Sequence, residues 1–375
     1  MPDQPKQGAK KRSSPGYGLI LASMAAGVVL GLWLSRSGIH LRSPLPLVVL
    51  MLAALELAFL VHEAGHVIAG MLVGFRCYEI SVQPLRTYRS AAGWRIGIAH
   101  NMRFAYAMCY PTSGRSLRTR LLLYVAGGPL ISLLSGVMAA VCAALAKGLA
   151  PDWFRVALVV YSGISMFMGI RNFLPVASSY LLSDGVRMRL LWRDTPAAAR
   201  ECSLFSLAGA IMRGVRPKDL DPEPMRIASS IPDGSIEDLS AASYQYSWAV
   251  DSGRIEEAAA LLPGLVEGRR QLPDERRPIW LCEVAWFEAA FRKDAAAARK
   301  WMEHPENRLS RASAGARLKA QAAIAALEGR FDEAEKLARL ALRELDRSPD
   351  LGVAKSIRET LARVTAGPPD PGTPA

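Results

Sequence analysis

Residues 45–73 read LPLVVLMLAALELAFLVHEAGHVIAGMLV, an apolar stretch that contains the motif His62-Glu63-Ala64-Gly65-His66. About 20 helical residues cross a hydrocarbon layer about 30 Å thick, so this stretch predicts a membrane span. Positions four apart lie on one face of a helix. Both imidazoles can therefore bind one Zn²⁺ while the glutamate between them addresses a water on the metal. The stretch predicts a hydrolytic zinc site inside a membrane.

The alternative for this motif is a chance match in a soluble helix, with both imidazoles in water. The chain has only five histidines, and two of them are in the motif. Ionisable side chains are costly inside a membrane and usually have a function there. We therefore favour the metal site.

The composition indicates a membrane-embedded part joined to a soluble part. Of the 375 residues, 51% are hydrophobic and 21% are charged, which is apolar for a soluble protein but too polar for one wholly in a membrane. Four segments are apolar and long enough to be spans. They lie near 16–34, 46–74, 121–146 and 153–174.

A basic tail at 1–15 precedes the first predicted span, an arrangement that also resembles a secretory signal peptide. The apolar run is longer than a signal core and lacks a small-x-small site at its end, so we predict an uncleaved anchor. The net charge of +12 is spread over loops and tails with little aromatic interleaving. This distribution favours a lipid bilayer as a partner over nucleic acid.

The flanking charges predict how the chain crosses the membrane. Lys and Arg are frequent in the tail, in the loop at 76–120 and after the fourth span, whereas the loops on the other side carry only Arg36, Arg42 and Lys147. Loops rich in Lys and Arg stay on the cytosolic side. We therefore predict a multi-pass protein of the cytoplasmic (inner) membrane, with both termini and the zinc motif on the cytosolic side.

The loop at 76–120 is too long for a simple turn and predicts a small β-hairpin close to the zinc site. Residues 78–82 and 94–98 show strand-like alternation, and turn-forming residues such as Gly93 separate them. An unpaired strand edge there could hold a substrate backbone in the extended form that proteolysis needs. An amphiphilic surface loop is an equally supported alternative.

Similar motifs recur 38 residues apart in the C-terminal half, beginning at Gly253, Phe291 and Gly329. Each precedes a helix rich in Ala and Leu. The pattern is similar to tetratricopeptide repeats, although their usual period is about 34 and the middle copy lacks the turn glycine. Stacked helix pairs usually bind a partner segment. We predict that they recruit a protein partner, with a stabilising appendage as the alternative.

The chain is therefore predicted to be mainly α: a polytopic membrane helix bundle with a small β-hairpin, followed by a soluble domain of helical repeats. A segment rich in Pro and Asp separates the two parts. The predicted segments are the tail at 1–15, a membrane domain at 16–194, a linker at 195–235, helical repeats at 236–345, and an extension with a disordered tail at 346–375.

The five cysteines are far apart in the sequence and have no CxxC spacing. They are Cys77, Cys109, Cys142, Cys202 and Cys282. We predict reduced thiols, with neither a disulfide framework nor a thiolate zinc site.

A catalytic zinc bound by two histidines needs a third protein ligand, usually His or a carboxylate. The best candidate is Asp184, which follows the fourth span, and no other Asp or Glu lies between Asp152 and this position. His100, in the loop at 76–120, is the alternative ligand.

Three features together resemble the site-2 protease family of intramembrane zinc metalloproteases. They are HExxH in one span, Gly127-Gly128-Pro129 in the next, and Asn172-x-x-Pro175 followed by Asp184-Gly185 after a later one. The resemblance covers about residues 45–190, although the gap from Pro175 to Asp184 is longer than in the usual motif. It implies zinc ligands at His62, His66 and Asp184, a general base at Glu63, and Asn172 near the scissile carbonyl. A hydrogen bond between helices is the alternative for Asn172.

The resemblance implies an intramembrane zinc endopeptidase that cuts a transmembrane or membrane-proximal segment of a membrane protein substrate. The residues alone predict only a hydrolytic zinc site in the cytosolic half of a bilayer. One alternative is a catalytically silent membrane scaffold that binds proteins through the helical repeats. Another is a metal transporter, but transporters tend to show internal repeats across their spans, and none is evident in this sequence.

Overall fold

The computed structural model describes residues 45–90, 93–98, 105–175, 183–308, 314–347 and 350–366. They divide into two units, one formed by residues 45–58 and Leu133–Met168, the other by Phe59–Ser132 and the residues from Gly169 onward. The predicted span at 16–34 and the predicted tail beyond residue 366 lie outside the described residues.

Three helices among the described residues are long and apolar enough to cross a membrane. They are α1 (Leu45–Leu72), α2 (Leu117–Leu145) and α3 (Asp152–Phe173). Large apolar side chains are exposed along all three, for example Leu72, Leu134 and Trp153. Proteins in water rarely leave so much contiguous apolar surface uncovered. These helices coincide with the second, third and fourth predicted spans and suggest a membrane protein.

A four-stranded antiparallel sheet follows α1, where the sequence predicts a two-stranded hairpin. Its strands are β1 (Phe75–Val82), β2 (Leu85–Ser90), β3 (Gly93–Ile98) and β4 (Ala105–Pro111). The strand order is β3-β2-β1-β4, so the predicted strands at 78–82 and 94–98 fall in β1 and β3, with β2 between them. The predicted pairing is wrong because β2, LRTYRS, is mostly polar and lacks the apolar alternation by which a strand is recognised in a sequence.

Two helices after α3 connect the sheet to the C-terminal region. The first, α4 (Asp184–Trp192), begins after Ser183, whose hydroxyl caps the first turn. The second, α5 (Pro196–Met212), packs against the end of β4, where the Arg213 guanidinium donates a hydrogen bond to the carbonyl of Pro111.

The segment at 195–235, predicted as a linker, is largely helical. It contains α5 and then α6 (Pro222–Ala228). Its prolines begin these helices, because Pro196 and Pro222 each follow a capping residue and take the first helical position. A backbone N–H has no helical partner there, so proline is well tolerated.

Seven helices follow within the described residues from 236 onward. They are α7 (Ile236–Asp251), α8 (Ile255–Gly268), α9 (Pro278–Ala290), α10 (Ala295–Met302), α11 (Ala314–Leu327), α12 (Phe331–Leu345) and α13 (Leu351–Thr365). The three sequence motifs lie in the turns before α8, α10 and α12. Gly253 and Gly329 have positive φ angles of 74° and 75° in two of these turns, and Lys293 has 59° in the third. The middle copy therefore makes a left-handed turn without glycine.

Candidate metal centre

Helix α1 brings the two histidines of the motif together, and the start of α4 adds a carboxylate. Nε2 of His62 lies 3.2 Å, and Nε2 of His66 lies 3.4 Å, from the same Oδ2 atom of Asp184. The three ligand atoms lie within 4.8 Å of one another. The planes of the two imidazoles are nearly perpendicular, at 84°. This group could bind a metal ion; His100, the alternative ligand, lies outside the described residues.

Each imidazole is held by its other nitrogen. Nδ1 of His66 lies 3.0 Å from the backbone carbonyl oxygen of Tyr124, to which it donates a hydrogen bond. Nδ1 of His62 lies 2.9 Å from the hydroxyl oxygen of Ser132. A neutral ring with its proton on Nδ1 is the tautomer that a metal ligand needs, because a metal ion can then take the place at Nε2 that a proton occupies when Nε2 donates to Asp184.

Neither Ser132 nor Tyr124 is among the site residues that the sequence predicts. Both lie on α2, four positions after and four positions before Gly128, so all three residues share one helix face. Ser132 is also a fully buried polar side chain in an apolar helix. The spacing of Ser132 from the glycine pair Gly127-Gly128 is the sequence signal from which Ser132 could have been predicted.

The glycines of α1 and α2 let these helices approach closely. A Cβ atom on Gly65 would lie 2.5 Å from the carbonyl oxygen of Gly127. A Cβ atom on Gly128 would overlap the His66 ring, only 2.7 Å from its Cδ2 atom. Small residues commonly permit such packing in membranes. The absence of a side chain at Gly128 also leaves room for the imidazole of His66.

Contacts of α4 fix the position of Asp184. The next residue, Gly185, lies against the end of α3, because a Cβ atom there would be 2.5 Å from the carbonyl oxygen of Phe173. Nearly one turn further along α4, Nε of Arg187 lies 2.7 Å from Oε1 of the buried Glu201 on α5. These contacts hold the first turn of α4 between α3 and α5.

The two imidazoles favour the charged form of the Asp184 carboxyl. Burial raises the pKa of this group, but hydrogen bonds with His62 and His66 outweigh the effect of burial and hold the pKa well below its usual range. The carboxyl is therefore an anion at neutral pH, which is the form that binds a cation.

Glu63 is buried and faces the sheet. The backbone N–H of Ala107 on β4 lies near the Glu63 carboxylate. The carbonyl oxygen of Ala107 accepts a hydrogen bond from the Tyr124 hydroxyl, at 2.9 Å. Since β4 is an outer strand of the sheet, its outward backbone groups are available for these contacts. The strand is thereby fixed beside the predicted general base.

Asn172 has no hydrogen bond to His62, His66 or Asp184 in the part of the chain that the structure describes. It is half-buried in the last turn of α3, close to the point where Gly185 meets that helix. A place for Asn172 near a scissile carbonyl stays a prediction.

No model of a known protein family, no functionally characterised protein and no solved structure matches the chain. The resemblance to the site-2 protease family therefore stays a prediction that rests on the quoted residues. The function has to be argued from the site.

Proposed function

We propose that this protein is a membrane-embedded zinc endopeptidase that cleaves a transmembrane or membrane-proximal segment of another protein. The observation that carries the proposal is the convergence of His62, His66 and Asp184 next to the buried Glu63. Two imidazoles and one carboxylate leave a zinc ion an open position, as catalytic zinc sites require. The resemblance to the site-2 protease family supports a peptide bond as the bond that is cleaved.

The residues of the site have distinct tasks in this reaction. His62, His66 and Asp184 would hold zinc, which supplies Lewis-acid polarisation of a water molecule and of the peptide carbonyl. Glu63 takes the proton of the attacking water and then delivers it to the leaving amine. Ser132 keeps the His62 ring oriented through Nδ1 while these protons move.

A substrate would need an extended segment, because a peptide bond must be extended to be accessible for hydrolysis. Pairing with a strand edge is a common way to hold such a peptide. The outward carbonyl of Ala107 on β4 is already bonded to the Tyr124 hydroxyl, so we place the substrate along the other outer strand of the sheet, β3.

The proposed location is the cytoplasmic (inner) membrane, with both termini in the cytosol. The distribution of Lys and Arg around the spans supports this orientation. Accessibility of single engineered cysteines to a membrane-impermeant thiol reagent tests it. Labelling of the loop at 76–120 from outside the intact cell would contradict it.

The test of the proposed activity is cleavage of candidate single-span proteins in reconstituted membranes. Glu63→Gln is expected to abolish cleavage while zinc content is unchanged, because the amide cannot accept the proton of water. Glu56→Gln, a second carboxylate on α1, is the matched control and is expected to retain activity. Equal cleavage by the wild type and by Glu63→Gln would remove the proteolytic function.

The same experiment addresses the alternatives. Zinc binding without cleavage of any candidate would favour a silent scaffold, and zinc uptake into sealed vesicles would favour a transporter.

We further propose that the helical region at 236–345 recruits the substrate. A substrate trapped on Glu63→Gln and cross-linked in place is expected to attach to residues of this region. Cross-links confined to residues 45–190 would contradict a recruiting role.

A further inference from the structure

Strands β1 and β4 bring together two cysteines that are far apart in the sequence. Cys77 and Cys109 are direct partners in the β1–β4 register, and the Cys77 thiol donates a weak hydrogen bond to the carbonyl oxygen of Glu79, 3.8 Å away. Directly opposite residues of an antiparallel pair point to the same face of the sheet. The sequence predicts reduced thiols without a disulfide framework because no CxxC spacing exists, and only strand pairing reveals this dithiol.

The geometry of the pair suits a disulfide. Cys77 and Cys109 are direct partners beside a register shift between Cys77 and Glu79, and the Cα atoms of direct partners on antiparallel strands are about 4.5 to 5.5 Å apart. Disulfides bridge Cα separations of about 4.4 to 6.8 Å, so the strands need little movement.

The two thiols differ in access and in acidity. Cys77 is half-buried, whereas Cys109 is buried against α1, with its Cβ atom 3.4 Å from the position of a Cβ on Gly70. The neighbouring Cys109 thiol lowers the pKa of Cys77, and the same interaction raises the pKa of Cys109. A thiolate is the attacking species in disulfide exchange, so Cys77 is the first to react.

We propose that Cys77 and Cys109 are an oxidisable dithiol, a modification site whose oxidant is a small-molecule disulfide such as oxidised glutathione. The Cys77 thiolate attacks the oxidant, forms a mixed disulfide and releases one glutathione thiolate. Cys109 then loses its proton and attacks the Cys77 sulfur, which releases the second glutathione. Two electrons pass to the oxidant, and the two protein protons end on the two glutathione molecules.

The position of the dithiol links it to the metal centre. Cys109 is two residues from Ala107, whose N–H lies near Glu63. A bridge between β1 and β4 therefore forms on the strand beside the proposed general base. If the disulfide controls cleavage through this strand, that role rests on the proposed function. The formation of the disulfide itself does not depend on the proposed function.

The test uses the full chain in detergent, incubated with oxidised glutathione, then alkylated, digested and analysed by mass spectrometry. A peptide linked through Cys77 and Cys109 is expected, with loss of alkylation at both residues and full reversal by dithiothreitol. Cys109→Ser is expected to leave glutathione on Cys77, since nothing resolves the mixed disulfide. Cys202→Ser is the matched control and is expected to leave the linked peptide unchanged.

Two results would contradict the proposal that Cys77 and Cys109 form a disulfide. One is alkylation of both cysteines after oxidation to the same level as in the untreated protein. The other is glutathione that stays bound to Cys77 in the wild type. Glu63→Gln is expected to form the linked peptide to the same extent, because no metal chemistry is involved. A linked peptide in a protein without protease activity would thus support the dithiol while counting against the proposed function.

Discussion

At the scale of single residues, the orientation of each imidazole depends on a partner that is distant in the sequence. Ser132 and Tyr124 lie 70 and 58 positions from the histidines that they contact. The spacing within HExxH predicts that His62 and His66 share a face, because this is a local property of a helix. It cannot predict the partners of Nδ1, which depend on how α2 packs against α1.

Ser132→Ala removes the hydrogen-bond partner of Nδ1 of His62. The ring then loses its fixed orientation, and we expect zinc affinity to fall by about 10- to 100-fold. Competition with a chromophoric chelator measures the affinity. Ser135→Ala is the matched control, because that hydroxyl bonds to Ser165 at 3.1 Å. Equal affinities of the Ser132→Ala variant and the wild type would show that Ser132 does not orient the imidazole.

At the scale of elements, α4 decides whether the third ligand reaches the histidines. The sequence offers Asp184 as the first carboxylate after the fourth span, but the gap from Pro175 leaves its position open. The structure places it at the first residue of α4, held through Gly185 and Arg187. These are contacts with α3 and α5, and no local pattern around Asp184 contains them.

Arg187→Ala leaves the buried Glu201 without its cation and loosens α4 against α5. We expect weaker zinc binding, by about 10-fold, because Asp184 is then less well positioned. Arg187→Lys keeps the charge and is expected to restore part of the affinity. Arg189→Ala, at an exposed position on the same helix, is expected to bind zinc like the wild type. If Arg187→Ala and Arg189→Ala bind zinc equally well, Arg187 has no positioning role.

At the scale of the whole molecule, the helices after residue 236 are joined to the segment that follows α5. Nη2 of Arg216 lies 2.6 Å from Asp251 on α7, and Nη1 lies 2.6 Å from Glu359 on α13. Lys355 on α13 also donates to the carbonyl of Gly214, at 2.9 Å. The recurrence of the sequence motifs predicts where the repeat helices begin, because the turns before these helices are formed by residues that are neighbours in the sequence. It does not predict that α13 returns to α5, because that contact joins residues about 140 positions apart.

Arg216→Ala tests this connection. The Asp251 side chain is only 2% exposed, so its carboxylate would lose its counterion in a buried position. We expect a loss of about 1 to 3 kcal/mol in the free energy of unfolding, measured by chemical denaturation followed by circular dichroism. Arg226→Ala breaks an ion pair that is exposed on both sides and is expected to leave the transition unchanged. Coincident curves for the Arg216→Ala variant and the wild type would contradict the bridging role.

X-ray absorption at the zinc edge, on the full chain loaded with one equivalent of zinc, tests the metal centre most directly. The expected nearest neighbours are nitrogen and oxygen atoms at about 2.0–2.1 Å, with the outer scattering of two imidazoles. Sulfur neighbours at about 2.3 Å, or the scattering of a single imidazole, would contradict a centre built from His62, His66 and Asp184.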